Sequence, residues 1–96
     1  MVVHKESIYE VKKDNKGYVL INTIGKYENH GHLKNLKACK KIIKLMIKNL
    51  VPYNNYWRGT VLRVSIDKSY LEKVRHKIEK DKQKEMYINI NKGVKK

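Results

Sequence analysis

From Leu33 to Val51 apolar side chains recur at spacings of three and four. Leu36, Cys39, Ile43, Met46 and Leu50 fall on one stripe, and Ile42 and Ile47 widen it. Such a period defines an amphipathic helix that must bury one side. The other side is almost wholly basic, with Lys34, Lys37, Lys40, Lys41, Lys44 and Lys48. Pro52 is expected to end this helix, because its ring disfavours helical backbone in the preceding residue.

The flanking segments read as an α+β domain. Ile8–Val11 and Tyr18–Ile21 have strand character and enclose Lys12-Lys13-Asp14-Asn15-Lys16-Gly17. Asp and Asn with Gly two residues on suit a tight hairpin turn. Residues 22–32 read as irregular, and Tyr53–Gly59 reads as a loop. Thr60 to Ile66 alternates as a half-buried strand would. A further helix starts at Asp67 or Ser69, with Leu71, Val74 and Ile78 as its apolar stripe. Met86, Ile88 and Ile90 alternate with Tyr87 and Asn89, which gives a last strand. The expected order is ββαβαβ: a three- or four-stranded sheet with two helices on one face. Residues 1–90 form a single basic domain, and 91–96 a basic disordered tail. The chain's 96 residues leave room for one small core.

Charge narrows the function. Lys and Arg number 23 against 9 Asp and Glu, a formal net charge of +14. Abundant Lys, Asn, Ile and Tyr match an AT-rich coding bias, which suits a bacterial phage or mobile element. That bias also favours Glu, however, so it does not explain the shortage of acid. A chain so charged repels itself unless a polyanion offsets it, and nucleic acid is the common polyanion of a cytoplasm. No carboxylate lies between Leu33 and Asp67. The helix therefore forgoes the mixed-sign pairs at spacing four that a merely solvated face uses. Met1–Glu6 has no apolar stretch of the kind a secretory signal needs, and no run is long enough to span a bilayer. The expectation is a cytoplasmic protein without a membrane partner.

The expected contact residues are the six helix lysines with Arg58, Arg63 and Tyr53. Lys12, Lys13 and Lys16 add a wing at the hairpin tip. Tyr53, Trp57 and Arg58 stand beside amides, a composition that suits stacking on unpaired bases, although Trp57 fits the core better. DNA is favoured over RNA, since a helix and a hairpin can both follow duplex grooves. A homodimer is expected to cover the open sheet face through Val61 and Tyr87. No cofactor and no enzymatic activity are expected. The alternatives are an interaction or inhibitor module docking on an acidic protein, and a small metal-dependent nuclease using His30 and His32. Glu28 or Cys39 would be candidate further ligands in the latter. Cys39, the single cysteine, sits on the apolar stripe and reads as a small core hydrophobe.

Overall fold

A computed structural model gives the structure of the chain. It describes the backbone of residues 1–94 except Tyr27, with side chains as far as Lys84. Four strands come first: β1 (Val2–Glu6), β2 (Tyr9–Asp14), β3 (Gly17–Asn22) and β4 (His30–Leu33). Three helices follow: α1 (Leu36–Ile47), α2 (Asn55–Val64) and α3 (Lys68–Val94). The strands form one antiparallel meander in the order β1-β2-β3-β4.

The α+β class and the four-stranded sheet agree with the sequence reading; the element order is ββββααα. Thr60–Ile66 is not a strand, because most of it lies in α2. The backbone of 86–90 runs within α3, and so does that of 91–94, where a disordered tail was expected. Lys95 and Lys96 lie outside the described residues. The supposedly irregular 22–32 segment contains most of β4, and β1 precedes the expected hairpin.

Local chemistry sets each boundary. At the hairpin tip the Asp14 carboxylate accepts from the amides of Lys16 and Gly17, at 2.8 and 2.9 Å. Gly17 has φ +148°, and a Cβ there would lie 2.7 Å from the Leu33 carbonyl oxygen. The Asn35 side chain caps α1 by accepting from the Ala38 amide at 2.8 Å. Asn49, in the left-handed region at φ 61°, ends the helix. The Asn49 amide donates to Met46 O and the Leu50 amide to Leu45 O, the paired closure of a Schellman motif. The helix thus stops before Pro52 is reached; Leu50 falls beyond it and Ile47, still within it, turns toward the lysine side, so both are exposed. Asn54 caps α2, accepting from the Tyr56 and Trp57 amides. Asp67, not Ser69, caps α3, accepting from the Ser69 and Tyr70 amides.

Strand register divides the sheet's side chains. Tyr9, Val11 and Leu20 face inward with Leu33. They meet Cys39, Ile42, Ile43 and Met46 of α1, Val61 and Val64 of α2, and Tyr70 and Val74 of α3. The helices therefore cover one face. Among the described residues, the other face shows Lys5, Glu10, Lys12, Val19, Ile21, His30 and His32. Val61 is buried in the core and does not lie on that open face. The side chain of Tyr87, the other residue expected there, is outside the described residues.

α2 presses directly on β4. A Cβ at Gly31 would lie 2.7 Å from Thr60 Cγ2, so only glycine allows this approach. Two asparagines satisfy the last carbonyls of α2. Asn22 Nδ2 donates to Val64 O at 3.0 Å, and Asn29 Nδ2 donates to Arg63 O at 2.9 Å. Gly31→Ala is expected to destabilise the fold by about 1–3 kcal/mol through overpacking, measured by urea unfolding. Adding Thr60→Ser removes the clashing methyl, keeps the hydroxyl bonded to Tyr56 O, and should restore most of the loss.

Candidate nucleic-acid interface

The apolar side of α1 is fixed by the sheet, so the direction of its lysines is fixed too. At 100° per residue, Lys37, Lys40, Lys41, Lys44 and Lys48 share an arc of about 100°. Cys39, Ile42, Ile43 and Met46 occupy an arc of similar width on the opposite side. All five lysines are exposed. Among the described residues no carboxylate lies within ion-pair distance of any of them; the recorded pairs involve His4, Lys5, Arg58 and Lys77. From Lys37 to Lys48 the row rises about 16 Å, near five base-pair steps along a duplex axis.

Lys34 precedes the Asn35 cap and so stands off the helix, at the head of the row. The hairpin tip lies against it, since a Cβ on Gly17 would be 3.7 Å from Lys34 Cα. Lys16 at this tip and Lys13 on β2 are exposed on the same end of the molecule as the start of α1. Lys12 belongs elsewhere. It pairs with Val19 in register and projects from the open sheet face, away from α1.

The segment read as a loop, Tyr53–Gly59, is mostly the first part of α2, and this redistributes its expected contacts. Tyr53 stays free in solvent at 92% exposure. Arg63, near the C-terminal end of α2, is exposed at the opposite end of that helix from Tyr53. Arg58 is 4% exposed and turned inward. Its Nε donates to Pro52 O at 2.7 Å and its guanidinium meets Asp81 of α3 at 2.7 Å. It locks the approach to α2 onto α3 and is not available to a phosphate. Trp57 is half-buried against the core, as expected in a chain that has no Phe to take that place.

Two aromatic-lined grooves flank the row. One, of about 450 Å³, is bounded by Leu33, Lys34, Asn35, Ala38, Tyr56 and Trp57. The other, of about 230 Å³, lies between Leu45, Pro52, Tyr53 and Trp57. Tyr56 was not among the expected contacts. The residue is 61% exposed, yet its hydroxyl donates to His32 O at 2.6 Å. The sequence clue was its place within two residues of Asn54, a cap residue that turns the segment into a helix.

His30 and His32 are on the open sheet face with ring centroids 5.2 Å apart. They line a groove of about 470 Å³ with Lys12, Lys26, Val19 and Ile21. Cys39 lies beneath the opposite face, where it cannot join them. Burial pushes its thiol up to about 11, so it is a packing residue and not a nucleophile. Among the described residues no group of three or more His, Cys, Asp or Glu is placed to hold a metal ion. No helix among them is long and apolar enough to cross a membrane.

Comparison with protein-family models, with curated proteins and with solved structures finds no match to this chain.

The Arg58–Asp81 contact carries a pH signature. Hydrogen bonding from Arg58, helped by the charges of Lys77 and Lys84, holds the Asp81 carboxyl below the usual carboxylate range. A depressed folded value stabilises the fold above the unfolded value, near 3.9, and that gain is lost as pH falls through the folded one. Asp81→Asn should therefore flatten the acid side of the stability profile followed by thermal unfolding. Arg58→Ala should cost on the order of 2 kcal/mol near neutral pH, because a buried, charge-assisted hydrogen bond is lost with its packing.

Proposed function

We propose that this chain is a non-enzymatic nucleic-acid-binding protein, an accessory or regulatory factor that lays the lysine side of α1 along a phosphate backbone. The observation that carries the reading is the segregation of α1. Five exposed lysines converge on one arc, with no carboxylate paired to them among the described residues. Like charges so gathered repel one another, and phosphates relieve the repulsion while releasing condensed counterions. Duplex DNA is the favoured form. The row matches the rise of several base-pair steps, and the hairpin tip with Lys13 and Lys16 extends the basic surface beyond the start of the helix. Contacts of this kind position a protein without reading sequence.

Changing Lys37, Lys41 and Lys44 to Ala is expected to weaken binding of unrelated duplexes alike. The slope of log affinity against log salt should fall by about one unit per lost contact. Folding should hold or improve, since Ala is the better helix former and like charges are removed. Lys92, Lys95 and Lys96 changed together remove the same charge from the end of the chain and serve as the control. Equal losses in both triple variants would mean that net charge acts diffusely and would reject the helix face as the site. An acidic protein could meet the same lysines. In that case the purified sample would carry a second protein band and no excess absorbance at 260 nm.

A further inference from the structure

Aromatic side chains border the lysine row on one side. On the α1 wheel Ala38 and Leu45 lie between the lysine arc and the core arc, and against them sits the start of α2. Trp57 lines both flanking grooves. Tyr56 rims the first groove and Tyr53 the second. A strand whose phosphates lie on Lys37, Lys41 and Lys44 would have these rings beside it, within reach of its bases.

Resting on the nucleic-acid reading above, we infer that the start of α2 is a stacking site for unpaired bases, so that the preferred ligand is a duplex with an adjoining single-stranded stretch. Three observations support it. First, the hydroxyl of Tyr56 is held by His32 O at 2.6 Å while the residue as a whole remains largely exposed. The ring is thus pre-positioned, and little rotational freedom is lost when a base covers it. Second, Tyr53 is almost fully exposed beside Pro52, although a tyrosine that served the core would be covered. Third, the groove under Tyr56 opens between Lys34 and Asn35. The side-chain oxygen of Asn35 is taken by the Ala38 amide, which leaves its Nδ2 to donate to a base edge. Paired bases are stacked inside a duplex and cannot meet these rings, whereas unpaired bases can. Aromatic faces accept every base, so the site selects strandedness and not sequence.

Trp57 is the only tryptophan in the chain and reports on the grooves directly. The test uses the full chain with two labelled probes: a blunt duplex, and the same duplex carrying a single-stranded thymidine overhang. The overhang probe should bind about tenfold more tightly, and it alone should quench Trp57 emission. Tyr53→Ala and Tyr56→Ala should each reduce that preference. Tyr56→Phe, which keeps the ring, should retain it even if the lost hydroxyl costs some stability. Tyr53 is so exposed that its removal does not threaten folding. Equal affinity for both probes with unchanged Trp57 emission would overturn the stacking site while leaving phosphate binding intact. Binding to neither probe would overturn the nucleic-acid reading itself, and the stacking site with it.

Discussion

The two-sidedness of α1 governs the rest of the molecule. The inward face of the sheet supplies few large apolar side chains: Tyr9, Val11, Leu20 and Leu33. α1 must close the core over them, and it commits Cys39, Ile42, Ile43 and Met46 to that task. Burial of such side chains is worth roughly 1.5–3 kcal/mol each for the larger ones, far more than repulsion among screened surface charges. Packing therefore decides the rotation of the helix, and the lysines are carried to the side that remains. The concentration of positive charge on one surface is a consequence of the core.

How much of this was legible depends on whether a signal was local. The α1 stripe and the Asp14–Gly17 turn are short-range devices, and each was readable from neighbouring residues; the start of α3 was narrowed only to Asp67 or Ser69, because either side chain can cap a helix. β4 was not readable in that way. His-Gly-His reads as a turn because glycine usually marks one, yet here Gly31 is in a strand so that Thr60 can approach it. That reason exists only in three dimensions. α2 was misread for a related cause. Leu62, Val64 and Ile66 alternate with Val61, Arg63 and Ser65 as a strand would, while Trp57, Val61 and Val64 recur at four and three. Both patterns are present in the same residues, and the Asn54 cap with packing on β4 selects the second.

The candidate interface was legible in the same uneven way. The helix lysines are where their spacing put them, because the period that defines the apolar side also defines its opposite. Arg58 departed from expectation because charge alone does not reveal burial. Its partners, Pro52 O and Asp81, lie six residues back and on another helix. Lys12 departed because a strand turns alternate residues to opposite faces, and the register with Val19 sends it to the open face of the sheet. Tyr56 became visible as a candidate only when α2 was in place.

If the lysine side of α1 is the surface that meets phosphate, protection from chemical modification will show it. Acylation of the lysines, read by mass spectrometry with and without excess duplex DNA, tests this most directly. The account predicts strong protection of Lys37, Lys41, Lys44 and Lys48, while Lys5 on the open sheet face and Lys68 and Lys80 on α3 stay reactive. Uniform protection of all lysines, or protection centred on Lys5, Lys12 and Lys26, would contradict it.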